Sequence, residues 1–484
     1  MKNAVYVLLG GAIAMGTSAS GQTMSSPLRL VDQQPVSYAR VVERDARAVS
    51  ALAGMVENEE VMVREFPRAD GGLSDVRLRR ITILAPGTRI SMGGIGGITM
   101  VEPPAVTLLS GSVDGDHETR VFLSLSDFGT NGFIVGQDRT EVISSGPTSD
   151  GAITIYRLDG LPEGIIRWGQ YLCGSDVLDG PVGHAHGGGG SGGGGGWGSR
   201  GLPCRRADIA IETDWELTRD TFGGNTAASS AYVITLMAAV SEIYTRDINT
   251  RLRVNFLRVW SDDTDPYSTS GTLNRLFEFQ NWWNANMTAT SRHAAHILSG
   301  VRGEYGGVAY LPGLCQNEYD YGLSTYLNGS FPYPLQNNLH QNWDLVVTAH
   351  ELGHNFGAPH THDVTPPIDG CGLGDCSQAA SGTIMSYCHT CGGGLSNISL
   401  TLQSRLINEK ILPYLANDAP CSTLYLPSDF NGDGFADGFD YDDFVTCFEG
   451  FACPPGKDAD FNMDQFVDGF DYDAFVLAFE EGCG

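Results

Sequence analysis

Between Gln22 and Gly183 the chain alternates short apolar runs with polar turns. Ile81-Thr82-Ile83-Leu84, Val121-Phe122-Leu123-Ser124-Leu125, Phe133-Ile134-Val135 and Ile153-Thr154-Ile155-Tyr156 read as strands, so residues 22–183 are expected to be β-rich. Gly187 to Gly196, interrupted only by Ser191, offers nothing to pack and predicts a flexible tether over 184–203. His184 and His186 just before it belong to that linker or bind metal. Beyond the tether the period changes. Asp208–Thr213 reads as a strand, Ala227–Ile248 as a helix, Arg253–Trp260 as a strand, Leu273–Trp283 as a helix, His293–Leu298 as a strand and Asp344–Phe356 as a helix. Alternating strands and helices predict a three-layer α/β domain over residues 204–422.

The C-terminal residues 424–484 carry an internal duplication. Asp429-Phe430-Asn431-Gly432-Asp433-Gly434-Phe435-Ala436-Asp437-Gly438-Phe439-Asp440 recurs as Asp460-Phe461-Asn462-Met463-Asp464-Gln465-Phe466-Val467-Asp468-Gly469-Phe470-Asp471. Side-chain oxygens at loop positions 1, 3, 5, 9 and 12, with a backbone carbonyl at 7, suit Ca²⁺. The ligands would be Asp429, Asn431, Asp433, Phe435, Asp437 and Asp440, then Asp460, Asn462, Asp464, Phe466, Asp468 and Asp471. Each loop runs into an apolar helix, with Phe444, Val445 and Phe448 mirrored by Phe475, Val476 and Phe479. Neither repeat can bury that face alone, so the two should pack into a small all-α module. Asp at position 12 resembles dockerin loops, which implies a cohesin-like or cell-surface partner. Two positions depart from that pattern: Gln465 replaces a turn glycine, and the usual recognition positions hold Gly438-Phe439 and Gly469-Phe470.

Composition sets the compartment. Lys2, an apolar run from Ala4 to Met15 and the small residues Ser18-Ala19-Ser20-Gly21 read as a secretory signal over residues 1–21. Later stretches carry charges and predict no membrane span. A net charge of −28 argues against a nucleic-acid partner and suits secretion and calcium binding. Cys371, Cys376, Cys388 and Cys391 pair as disulfides, which an exported chain favours, or bind a structural zinc. Eleven cysteines leave one unpaired.

The chemistry lies in His350-Glu351-Leu352-Gly353-His354-Asn355-Phe356-Gly357-Ala358-Pro359-His360. His350 and His354 project from one helix face, a turn apart. Gly357 lets the chain leave the helix, and His360 returns as a third imidazole. Three neutral imidazoles bind zinc and leave a fourth position open, as in catalytic sites. Glu351 is placed to take a proton from water activated there. Leu345, Val346, Val347, Ala349, Leu352 and Phe356 make the helix largely apolar, so these histidines would lie at a core boundary and need partners.

This motif resembles that of the metzincin metalloendopeptidases, its filling most similar to the reprolysin (adamalysin) branch. Ser381-Gly382-Thr383-Ile384-Met385-Ser386-Tyr387 supplies the methionine turn of that superfamily. The resemblance covers roughly Ala207 to Cys421. It implies a twisted sheet above a zinc helix, with Met385 beneath the metal but not bonded to it. Tyr387 resembles the astacin and serralysin tyrosine, a zinc ligand or transition-state donor; the alternative is a core aromatic.

A β-rich segment before a secreted peptidase looks like a propeptide. Cys173-Gly174-Ser175-Asp176 is loosely similar to the cysteine-switch motif of matrix metalloproteinases, in which a thiolate fills the open zinc position. With Cys173 as the switch the other ten cysteines can pair; otherwise it sits in an ordinary disulfide. Cleavage sites are Arg200 or Arg205-Arg206, the latter stranding Cys204. The expected function is a secreted zinc endopeptidase acting on proteins and peptides. The rival is a catalytically retired adhesion or scaffold protein, against which the intact Glu351 speaks.

Overall fold

The computed structural model describes residues 22–32, 34–136, 139–146, 151–162, 165, 172–178, 204–335, 344–419, 421, 426, 428–432, 436, 438–454, 457–462 and 466–481. The expected signal and the glycine tether lie outside the described residues, as do His184, His186, Arg200, Asp433, Phe435, Asp437 and Asp464.

Apolar alternation builds a first sheet from β1 (Gln22–Ser25), β2 (Leu28–Leu30), β3 (Arg40–Arg44), β4 (Glu60–Pro67) and β5 (Leu73–Ile81). It continues with β8 (Val106–Val113), β9 (Asp116–Ser126), β10 (Gly129–Val135), β11 (Thr140–Ser144) and β12 (Ile153–Arg157). Their spatial order is β1-β4-β5-β8-β9-β10-β11-β12-β3-β2. One face buries Leu78, Leu123, Ile134, Ile143 and Ile155 with Leu52 of α1 (Ala46–Ala53), a helix capped by the Asp45 carboxylate. The strand expected at 81–84 is corrected. β5 ends at Ile81, and Leu84 forms only an isolated bridge to Val254.

The N-terminal segment does not keep its strands to itself. The hairpin β6 (Ile90–Gly94) and β7 (Gly97–Val101) joins a second sheet with β13 (Arg205–Thr213), β14 (Thr250–Trp260), β15 (Ala294–Leu298), β16 (Gly307–Ala309) and β17 (Tyr321–Ser324). The order is β16-β17-β15-β13-β14-β6-β7. The β14–β13–β15–β17 pairs are parallel, and β16 runs antiparallel on the far edge. Strand periodicity decides the faces of β13. Ile209 and Ile211 share a core with α2 (Thr226–Ile248) and α4 (Asp344–Asn355), while Ala210 meets α3 (Thr272–Asn286).

By length and composition alone α2 is apolar enough to cross a membrane. Here it is a core helix, with Val233, Leu236, Met237 and Val240 wholly buried. Asn225 caps its start, accepting from the Ala228 N–H at 3.0 Å, and Asn249 ends it in the left-handed region. The segment Ser330–Tyr333, just before α4, leaves this half and lies against the first sheet. Phe331 stands 6.5 Å from the Phe122 ring and 6.4 Å from Phe133. Its N–H donates to Asn131 Oδ1 and its carbonyl accepts from Ser144 Oγ. A short helix, α5 (Ser404–Leu406), follows the methionine turn. The duplicated C-terminus forms α6 (Gly438–Phe448) and α7 (Gly469–Glu481), which meet through Phe444 and Phe475, stacked at 4.0 Å.

Candidate metal centre

α4 is seated from both ends. At its start the buried Asp344 carboxylate accepts from the Asn328 and Gly329 N–H groups and from Tyr232 Oη at 2.6 Å. At its end Gly357, at φ +87°, turns the chain, and the Ala358 N–H donates to the Gly353 carbonyl. The turn brings His360 back over His350 and His354. All three rings are buried.

Each ring has its Nδ1 committed. His350 Nδ1 lies 2.7 Å from the Ile384 carbonyl and His354 Nδ1 2.7 Å from the Ala358 carbonyl. His360 Nδ1 lies 2.8 Å from Asp176 Oδ1 and 3.3 Å from Asp363 Oδ2. Acceptors at Nδ1 fix the proton there and leave each Nε2 as a bare lone pair. Those lone pairs converge: His360 Nε2 is 3.2 Å from both His350 Nε2 and His354 Nε2. Ligands about 2.0–2.1 Å from a tetrahedral ion stand roughly 3.3 Å apart, so the set fits a divalent metal. Electrostatics agree for two of the rings. Burial pushes His350 well down and His354 to about 3, keeping both neutral. Burial would lower His360 too, but Asp176 and Asp363 carry it up to about 9, so its Nε2 holds a proton that a bound cation would displace.

Cys173 completes the ring of donors. Its sulfur lies 3.4 Å from His354 Nε2 and 3.4 Å from Glu351 Oε2. The four ligand atoms of Cys173, His350, His354 and His360 lie within 4.8 Å of one another. Cys173 is the free cysteine among the described residues, and it is buried. Burial first, then the Glu351 carboxylate, push its thiol up. A bound cation would reverse that. Glu351 is itself buried, which raises it to about 8.

Two contributors, Gly307 and Asp363, were silent in the sequence. Gly307 on β16 leaves room for the base, since a Cβ there would stand 2.4 Å from Glu351 Oε1. Asp176 and Asp363 orient His360. Tyr387, two residues past Met385, packs 4.5 Å from the His360 ring and donates to Asp176 Oδ2 at 3.0 Å. A small cavity of about 10 Å³ lies beside Glu351, walled by Val346, Val347, Ile384 and His389 and covered by Leu172 and Cys173. The four loop cysteines are disulfides, Cys371–Cys388 and Cys376–Cys391, which lock the methionine turn. Cys315–Cys421 and Cys447–Cys453 are also bonded.

Residues 204–400 match the family model Reprolysin_5, metallo-peptidase family M12. They form a reprolysin-like metallopeptidase domain. The zinc metalloproteinase-disintegrin-like brevilysin H2a of Gloydius brevicauda is 29% identical over 154 residues, 31% of this chain and 32% of that protein. Disintegrin and metalloproteinase domain-containing protein 1a of Mus musculus is 29% identical over 173 residues, 32% of this chain and 20% of that one. The chain thus spans a third or less of the curated relatives it matches. Metalloproteinase-II from Bacteroides fragilis aligns at a TM-score of 0.35 and 13% identity over 66% of this chain and 85% of its own.

The peptidase domain accounts for the convergent histidines. The calcium-loop residues lie elsewhere, in the C-terminal repeats. There Asp440 and Asp471 are buried, and each accepts an N–H from within its own loop, Asn431 at 2.9 Å and Asn462 at 3.0 Å. Asp468 accepts from the Phe470 N–H, and Asp429 is buried. Asp460 follows Asp458, which accepts from its N–H, and Phe466 is exposed. Arg205 and Arg206 lie in β13, with Arg205 buried and Cys204 disulfide-bonded, so a cut after Arg206 would sever a central strand.

Proposed function

We propose that this protein is a secreted zinc endopeptidase, held latent by its N-terminal segment. The observation that carries the reading is the convergence of three Nε2 lone pairs beside a buried carboxylate. Nitrogen and sulfur donors in a tetrahedral array suit zinc above harder cations. His350, His354 and His360 would hold the ion, which when bound polarises a carbonyl and makes water a better nucleophile.

The chain's own residues supply the rest. Glu351, beside the three imidazoles, would take a proton from water and deliver it to the departing amine, its carboxylate favoured by a bound cation. Edge strand β16 offers backbone groups to an extended peptide. Once Leu172 and Cys173 leave, the apolar wall of Val346, Val347 and Ile384 would face a substrate side chain. Met385 supports the floor. Tyr387 is placed to help once its present partners leave.

Cys173 supports latency, because its sulfur stands where the fourth ligand belongs. The disulfides suit an oxidising compartment. The three-layer peptidase arrangement, the propeptide and the all-α calcium module belong to this reading. So do the Ca²⁺ ligands of the two loops and a cohesin-like or surface partner.

The test is casein cleavage by processed protein, compared with Glu351→Gln and with chelated enzyme. A loss of about 10²–10⁴-fold in kcat is expected for the variant, with metal content unchanged. Full activity in either arm rejects the mechanism, and no cleavage by the processed wild type favours a binding or scaffold role.

A further inference from the structure

Cys173 is only one of four contacts by which residues 173–176 cover the metal centre. The Cys173 N–H donates to Tyr387 Oη at 3.1 Å. Gly174 packs so closely that a Cβ would stand 3.1 Å from Val308 and 3.2 Å from Tyr305. Ser175 Oγ donates to the Ala309 carbonyl at 2.8 Å and accepts from the Ala309 N–H at 3.0 Å. One hydroxyl thereby satisfies both backbone groups of a β16 residue, as a neighbouring strand would. Cys173 itself bridges Gly307 in parallel.

Asp176 makes the fourth contact, and it reaches two site residues at once. Oδ1 lies 2.8 Å from His360 Nδ1 and Oδ2 accepts from the Tyr387 hydroxyl. Asp363 also points at His360 Nδ1, but from 3.3 Å. His360 therefore has two carboxylate partners, one from the N-terminal segment and one from its own domain.

We propose that Asp176 is a second element of the latch, a positioning residue that clamps His360 and Tyr387 while Cys173 fills the ligand position. In the uncut chain it takes the nearer place at His360 and occupies the Tyr387 hydroxyl. When the segment departs, Asp363 is already within reach to orient His360, and Tyr387 is released toward substrate. The sulfur and the carboxylate brace one another: loss of the carboxylate frees Tyr387, which otherwise holds the Cys173 backbone. This inference deepens the latency reading above and rests on it.

The experiment uses the full uncut chain loaded with Zn²⁺, without reductant, and follows maleimide labelling of Cys173. Cys173 is the free thiol among the described residues, so labelling reports the latch directly. Wild type should label slowly, and chelation should speed it. Asp176→Ala should label at least about tenfold faster than wild type with Zn²⁺ still bound and the thermal midpoint preserved. Asp363→Ala should label at the wild-type rate, because Asp176 serves His360 in the uncut chain. Asp176→Glu, which keeps the carboxylate, should restore most of the protection. Equal rates for wild type and Asp176→Ala, with chelation accelerating both, would overturn the clamp and leave the thiol latch standing. If chelation changes nothing in wild type, the latch itself is lost and the clamp with it. A variant that labels fast only because it has shed metal or melts early also counts against the clamp.

Discussion

A Cβ on Gly353 would stand 2.5 Å from the sulfur of Met385, so the methionine packs directly on the α4 backbone between the two histidines. The Thr361 N–H donates to the Met385 carbonyl, which ties the arm carrying His360 to the same support. Gly353→Ala should therefore push Met385 aside, costing about 1–3 kcal/mol by overpacking and weakening metal retention. Met385→Leu should cost less than about 1.5 kcal/mol. Thermal midpoints and metal content after dialysis check both, and a silent Gly353→Ala would refute the contact's importance.

Phe331 joins the two sheets. Its ring is buried against Phe122 and Phe133, from a segment that leads into α4. Phe331→Ala should lose about 3–5 kcal/mol of stability, the usual cost of emptying an aromatic site. Urea unfolding of the full chain measures it. A loss under about 1 kcal/mol would mean the sheets do not depend on this anchor.

His296 predicts a pH dependence. It is wholly buried, accepts or donates one hydrogen bond at 2.8 Å to Ser324, and burial lowers its pKa to about 3. Its unfolded value is near 6.5, so between about pH 6.5 and 3 the unfolded chain takes up a proton that the folded one refuses. The contribution is fully present above pH 6.5 and is lost as pH falls, by up to about 1.4 kcal/mol per unit. His296→Gln should flatten this part of the stability curve between pH 7 and 5. Parallel curves for the variant and wild type would sink the assignment.

The C-terminal helices make a calcium prediction. Asp440 and Asp471 hold equivalent places in the two repeats, each buried and bonded to its own loop. If the loops bind Ca²⁺, saturation at 100 times Kd should stabilise this module by about 2.7 kcal/mol. Asp440→Ala should remove the first site and leave the second. Isothermal titration of the full chain, which should give two sites in wild type and one in the variant, provides the measurement.

Much of the fold was legible from residue patterns. Strand and helix periods placed β13, α2, β14, α3, β15 and α4 within a few residues, because apolar spacing is set by the local geometry of each element. The misplaced strand at 81–84 shows where that signal fails: Ile83 is buried and apolar without pairing as a strand. α2 shows a different limit, since an apolar helix reads alike in a protein core and in a lipid bilayer, and only its burial here tells them apart.

By itself the sequence determined the grouping of His350, Glu351, His354 and His360, since one helix turn and one glycine turn suffice to bring them together. It also determined the paired repeats at the C-terminus, which recur in register. Only the tertiary structure decided that Cys173 and Asp176 reach that group, that Gly307 makes room for Glu351, and that β6 and β7 extend the second sheet. It alone chose the partners Cys371–Cys388 and Cys376–Cys391. The reason is physical: Cys173 and Glu351 are 178 residues apart. Contacts at that range follow from which sheet edges and core faces meet, and a period of two or 3.6 residues carries no record of that choice.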